Sequence, residues 1–315
     1  MKKTFTLLTF LLVYTISNAQ NKTEPIIENK FQLTGDTISF PLTIINAFPF
    51  ISVEVNGTKG KLMFDTGAQG ALDINNNIFS QSGRSTGNGN VGSGQKFKRY
   101  IIDSVKDIRL ANGLHFKDLK QVSSANFEFL QDQVTPDFLG FIGFDFFKGY
   151  LFKLDYVKRK ITFYKNSSKR ELSKDFLFGE KILATLNFET RKLPNHPMIK
   201  VKIGDVDVLA SFDTGGSYGA LEFTDKTIEK LKKRKYFIDY GKDGYGEPLL
   251  VLNNVRMNGQ LTTNFIGIHQ HGESINFRKA IGITEENYLT IANRFLAQYR
   301  TVWDYEHKKI YVMAY

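Results

Sequence analysis

FPFISVEVNGTKGKLMFDTG (residues 48 to 67) and HPMIKVKIGDVDVLASFDTG (residues 196 to 215) lie over each other without a gap. They agree at Pro49/Pro197, Ile51/Ile199, Val53/Val201, Phe64/Phe212 and throughout the closing Asp-Thr-Gly, seven identities in twenty. In the first copy Ile51, Val53 and Val55 alternate before Asn56-Gly57-Thr58-Lys59-Gly60, and Leu62 and Phe64 alternate after it. That pattern predicts a β-hairpin that delivers Asp65 to a turn. The second copy does the same for Asp213 through Ile203-Gly204-Asp205. One carboxylate on a tight turn is common; two in equivalent settings can be brought face to face by a two-fold axis and share a proton. Such a pair can activate water.

The duplication extends outward. Gly70-Ala71-Leu72 follows the first triplet and Gly219-Ala220-Leu221 the second, shifted by one residue. Leu154-Asp155-Tyr156 with Lys160-Ile161 recurs as Trp303-Asp304-Tyr305 with Lys309-Ile310. Each half therefore begins and ends alike, as a duplicated unit does. A chain of 315 residues has room for two such units. The expected organisation is a first lobe over 20–165, a polar linker over 166–174 and a second lobe over 175–315. With 42% hydrophobic residues, 28 Phe, 14 Tyr and only 7 Pro, the composition is globular and rich in aromatic strand residues. Alternation recurs around Tyr100 to Leu110, Tyr150 to Tyr164, Leu249 to Met257, Leu261 to His269 and Ile310 to Met313. Helical spacing is confined to Asp225 to Lys235 and Glu285 to Tyr299. The fold class is all-β.

Other features set the setting and exclude chemistries. Lys2-Lys3, the apolar Phe5 to Ile16 and the small residues of Ser17-Asn18-Ala19 predict a signal peptide over 1–19, cleaved before Gln20, hence a periplasmic or extracellular protein. The apolar run is too short for a spanning helix, so no membrane anchor is expected. The chain has no cysteine, which excludes a thiol nucleophile and thiolate metal ligands. Net charge is +10, but the lysines are scattered, and the cluster Lys230 to Lys235 with Glu229 reads as the end of a solvated helix, not a nucleic-acid surface. Gly87-Asn88-Gly89-Asn90-Val91-Gly92 spells a dinucleotide fingerprint without the strand-to-helix context it requires, so no cofactor is expected. His269 and His271 share a strand face but lack a third metal ligand. Asp155 and Asp304, though duplicated, read as the start of surface hairpins.

In the first half Asp137-Phe138-Leu139-Gly140 leads to a hydrophobic-hydrophobic-Gly element, Phe141-Ile142-Gly143, and in the second Ala280-Ile281-Gly282 has the same form. Asp-Thr-Gly, a glycine-rich hairpin, hydrophobic-hydrophobic-Gly and a closing strand, given twice, resembles the aspartic proteases of the pepsin and retropepsin kind. Ala68 after the triplet is closer to the retropepsin style. The resemblance implies an acid-protease fold of two β-barrel lobes related by a pseudo-two-fold axis, with few short helices. It implies that Asp65 and Asp213 are catalytic, that Thr66 and Thr214 lock the two turns together, and that Gly67 and Gly215 support the carboxylates. Ser217 fits the supporting hydroxyl position two residues after the triplet, whereas Gln69 replaces it in the first half. Flap candidates are Gly83 to Gly94, with Gly87, Gly89 and Gly92, and Tyr240 to Gly246, with Gly244 and Tyr245. Thr284 to Tyr288 reads as an insertion that lengthens a helix. The implied activity is that of an endopeptidase on polypeptide substrates, working as a monomer without metal or cofactor. The alternative is a protease-shaped, non-catalytic peptide-binding protein.

Overall fold

The computed structural model describes residues 31–79, 83–90, 95–216, 218–243, 246–269 and 275–315. The predicted signal peptide lies outside these residues, as do Gly92, Ser217, Gly244, Tyr245 and His271. In the first half β1 (Thr37–Pro41) and β2 (Thr43–Ile45) lead into the repeat hairpin, β3 (Phe48–Val55) and β4 (Thr58–Phe64). Next come β5 (Leu72–Asn75), β6 (Arg84–Asn90), β7 (Lys96–Leu110), β8 (His115–Ala125) and helix α1 (Glu128–Gln133). The half closes with β9 (Phe138–Ile142), β10 (Tyr150–Asp155) and β11 (Lys160–Lys165). The second half opens with α2 (Ser168–Ser173) and β12 (Ile182–Asn187), then repeats the hairpin as β13 (Met198–Ile203) and β14 (Val206–Phe212). It continues through β15 (Gly219–Glu222), α3 (Asp225–Lys233), β16 (Phe237–Lys242), β17 (Pro248–Met257) and β18 (Leu261–His269). Helix α4 (Ile275–Ile281), β19 (Tyr288–Ile291), α5 (Asn293–Leu296), β20 (Arg300–Asp304) and β21 (Lys309–Met313) complete it. The protein is all-β, with short helices.

The duplication seen in sequence is a duplication of topology. One sheet runs β2-β3-β4-β9-β5-β8-β7-β6, and pairing of β3 with β7 closes it into a barrel. The other runs β13-β14-β19-β15-β18-β17-β16 and is closed by β13 with β17. In both, the strand that carries the aspartate pairs in parallel with a strand from late in its half: Phe64 opposite Ile142, Phe212 opposite Ile291. The hairpin turn is made by Asn56 (φ 49°) and Gly57 (φ 83°), the left-handed pair that suits a two-residue connection. A third sheet, β1-β11-β10-β20-β21-β12, takes strands from both halves and joins them at β10 and β20, where Phe152 faces Trp303.

Three expectations change. Glu285 to Tyr299 is not one helix: Tyr288–Ile291 is a fully buried strand inside the second barrel, followed by the single turn of α5. A four-residue strand buried on both faces has no alternation, and its apolar spacing mimics a helix. The segment 166–174 is no loose connection either, since α2 fills it, capped by Ser167. Its Arg170, 6% exposed, reaches Asp36, Asp175 and the carbonyl of Lys165. Finally, Asp155 and Asp304 do start the β10–β11 and β20–β21 turns, accepting from the N–H groups of Lys158 and His307 at 2.8 and 3.0 Å, but both are buried.

The shared sheet sits beneath both aspartate-bearing strands. Trp303, the single tryptophan, is fully buried and stacks on Phe152 at 5.3 Å, while its edge contact with Phe212 is at 5.7 Å. Phe152 in turn meets Phe64 at 5.3 Å. Because one aromatic core spans the two halves, urea unfolding followed by Trp303 fluorescence and by far-ultraviolet circular dichroism is expected to give one coincident transition. Two resolved transitions would show that the halves unfold as separate units.

Candidate active site

Each triplet leaves the end of a buried strand and is held from behind. The Asp65 N–H donates to the Ile142 carbonyl at 2.9 Å, and the Asp213 N–H to that of Ile291 at 3.0 Å. The two turns are then bonded to each other reciprocally. The Thr66 N–H donates to Thr214 Oγ1, and the Thr214 N–H donates to Thr66 Oγ1, both at 3.0 Å. Thr214 Oγ1 also donates to the Phe64 carbonyl at 2.8 Å. Both threonines are fully buried, so each hydroxyl satisfies a backbone N–H that would otherwise be orphaned.

This lock brings the carboxylates together. Gly67 N–H donates to Asp65 Oδ1 at 2.8 Å and also to Asp213 Oδ1 at 3.2 Å, so one donor serves both groups. Ala68 N–H adds a bond to Asp65 Oδ1 at 3.3 Å, and Gly215 N–H one to Asp213 Oδ1 at 2.8 Å. The second oxygens, Oδ2 of each aspartate, are buried, and among the described residues no N–H or hydroxyl group donates to them. Asp65 and Asp213 are 0% and 1% exposed. Burial, the charge of Asp213 and a hydrogen bond between the two carboxyl groups hold Asp65 well above the usual carboxylate range. Burial pushes Asp213 up to about 6, opposed by the N–H groups of Gly215 and Gly67 and by its bond to Asp65. The pair therefore retains a proton where an ordinary carboxylate has lost it, and titrates as a unit.

The remaining predicted residues fall into two groups. Ile142 supplies the carbonyl behind Asp65, and Gly143 lies where no side chain fits: a Cβ there would be 2.3 Å from the Gly70 carbonyl and 2.4 Å from that of Ala68. Gly87 and Gly89 lie on β6, paired with β7, and a Cβ on Gly89 would come within 2.5 Å of the Phe97 ring. Phe97 belongs to the apolar cluster that also holds Ala68 and Met63, which joins this hairpin to the Asp65 turn. By contrast, Ile281 ends α4, and Gly282 (φ 89°) follows it, away from the parallel strand pair. The position equivalent to Ile142-Gly143 is Ile291-Ala292, at the same offset that relates Leu154-Asp155-Tyr156 to Trp303-Asp304-Tyr305. With that register the inferred insertion at Thr284 to Tyr288 disappears.

Sequence reasoning passed over the residues that support the turns. Asn195, fully buried, donates Nδ2 to the carbonyls of Thr66 and Gly67. Tyr156 and Tyr305, from the duplicated Asp-Tyr pairs, are buried and half-buried respectively, and both feel the charge of Asp213. Their duplication was the available signal. Near the hairpin, Arg99 Nη2 donates to Asp73 Oδ2 at 3.2 Å and Ser123 Oγ donates to Asp73 Oδ1 at 2.9 Å. Among the described residues no cluster of three or more His, Asp or Glu side chains could hold a metal ion, and no helix is long and apolar enough to cross a membrane. No family model matches the chain, and no curated protein matches it.

Two outcomes follow from the lock and the buried charge. Thr66→Val and Thr214→Val are each expected to cost about 1–3 kcal/mol in urea unfolding, by orphaning a buried N–H. The double variant should depart from their sum by about 0.5 kcal/mol or more, because each bond keeps the other's turn in place. Asp213→Asn is expected to raise the melting temperature at neutral pH. The folded value is raised, so the stability carried by the protonated carboxyl is fully present below the ordinary value near 3.8 and is lost as pH rises through about 6. The advantage of the Asn variant should therefore vanish in melts near the lower bound; an advantage independent of pH would contradict a buried, titrating dyad.

Proposed function

We propose that the chain is an aspartic endopeptidase, exported and built as two pseudo-symmetric lobes of the pepsin and retropepsin kind. The observation that carries the reading is the Gly67 N–H shared by Asp65 Oδ1 and Asp213 Oδ1 in a dry, two-fold setting. A structural aspartate turn needs one acceptor; two carboxylates forced together against their mutual repulsion need a chemical reason.

The division of labour follows from where the proton resides. The coupled pair holds one proton; with that proton written on Asp65, Asp213 is the ionised partner. A water between the outer oxygens gives a proton to the Asp213 carboxylate as its oxygen attacks the scissile carbonyl carbon. Asp65 gives its proton to the carbonyl oxygen, forming a neutral diol. When the diol collapses, the proton on Asp213 passes to the amine, the carbon–nitrogen bond breaks, and a hydroxyl proton returns to Asp65. The paired strands β6 and β7 form an arm that can add main-chain hydrogen bonds to an extended peptide.

The productive form holds one proton, so activity should rise as Asp213 ionises near pH 6 and fall when Asp65 follows. Digestion of an unfolded protein from about pH 3 to about pH 9 is expected to show a bell with a near-neutral maximum, and Asp65→Asn and Asp213→Asn should each lose about 10²–10⁴-fold. A folded wild-type protein that binds peptide and cuts at no pH would overturn this in favour of a non-catalytic binding protein.

A further inference from the structure

The two halves place unlike residues behind their aspartate turns. One position before the aligned Phe48-Pro49 and His196-Pro197, the first half has Ala47 and the second Asn195. Asn195 Nδ2 crosses to the other half's turn, donating to the Thr66 carbonyl at 3.1 Å and the Gly67 carbonyl at 2.8 Å. The methyl of Ala47 has no donor to return the contact to the Asp213 turn. Asn195 is itself held in place, because Tyr305 OH donates to its backbone carbonyl at 3.4 Å and His196 Nε2 lies 3.3 Å from its Nδ2.

The consequence comes from the planarity of the peptide bond. The Thr66 carbonyl and the Gly67 N–H belong to one rigid unit and point in opposite directions. A donor that fixes the carbonyl fixes the N–H as well, and this N–H is the one bonded to both aspartates. A hydrogen bond accepted by the carbonyl also strengthens the N–H as a donor.

We propose that Asn195 is a positioning residue: it sets the plane of the 66–67 peptide so that a single N–H bridges the two carboxylates, and it makes two duplicated aspartates unequal. The role in catalysis rests on the proteolytic reading, but the effect on the dyad does not. Besides the aspartates themselves, the titratable groups among the described residues that lie beside Asn195 or couple to Asp213 include His196, Tyr156, Tyr288 and Tyr305. Burial keeps His196 neutral, lowered to about 3, and raises all three tyrosines. None of the four changes charge in the range where the dyad titrates, so a shift in that range belongs to Asp65 and Asp213.

The test uses Asn195→Ala and the similarly sized, uncharged Asn195→Leu in the whole protein, with two readouts. The first is the pH midpoint of the dyad, taken from melting temperature against pH with and without Asp213→Asn. Loosening a donor that favours the ionised form should move the midpoint up by about one pH unit in both variants. The second is peptide hydrolysis, where kcat should fall about 10- to 100-fold and KM stay within about two-fold, as expected when placement and not binding is lost. Folded variants with an unchanged midpoint and unchanged kcat would overturn the proposal. A moved midpoint in a protein that cuts nothing would uphold the positioning role and sink the peptidase reading; an unmoved midpoint in an active peptidase would do the reverse. If neither variant folds, the wild-type Gly67 amide proton decides: its chemical shift should follow both ionisation steps of the dyad, and a shift that follows only one overturns the bridge.

Discussion

Two carboxylates held side by side in a dry interior repel each other, and a chain with freedom at that point would turn one of them toward water. Here neither turn has that freedom. Each leaves a strand paired in parallel with a buried neighbour, and each is bonded through a threonine hydroxyl to the backbone of the other. The bonds are reciprocal, so separating the turns breaks both at once and orphans two N–H groups in the core. The repulsion is met by the architecture, and one proton and three glycine or alanine N–H groups absorb what is left.

Rigidity at the centre requires rigidity further out, and the chain has no disulfide with which to supply it. Aromatic packing takes that part. Phe64, one residue before Asp65, meets Phe147, Phe152 and Phe163, and Phe212, one residue before Asp213, meets Phe295 and Trp303. Phe152, Phe163 and Trp303 belong to a sheet built from both halves, so the strands delivering the carboxylates stand on common ground. The short helix 168–173 fastens the crossing between halves in the same spirit, with its buried Arg170 satisfied by Asp36, Asp175 and backbone carbonyls.

Much of this was legible in the sequence because duplication converts weak signals into strong ones. One hairpin ending in Asp-Thr-Gly says little; two at the same internal spacing predict the facing turns and the strands, while the threonine pair came from the family resemblance. Helix 225–233 was also readable, as helical spacing over Asp225 to Lys235 with a basic end; the structure adds its Thr224 cap. Tyr288–Ile291 was not, because a short strand with both faces buried shows no period. That loss misplaced the second hydrophobic-hydrophobic-Gly onto Ile281-Gly282, whose letters match while its register does not. Asn195 was invisible for a different reason: a lone asparagine in a loop acquires meaning only from carbonyls more than a hundred residues away, and no local pattern encodes them.

Duplication also poses a problem, because it makes two identical carboxylates, whereas acid–base chemistry needs one to hold a proton and the other to release it. The differences lie around the triplets. Phe48 and Met63, both in the apolar cluster of the first half, are answered in the second by His196 and by Ser211, which is bonded to Tyr288 OH. Gly143 is answered by Ala292. A methyl in the first half would collide with the Ala68 and Gly70 carbonyls. The second half has one more residue at this point: two residues separate Gly67 from Gly70, but three separate Gly215 from Gly219. The shorter connection follows the turn that Asn195 grips and whose N–H reaches both aspartates. A duplicated site thus acquires unequal halves through one added residue, one methyl and one carboxamide, while the reacting groups themselves stay alike.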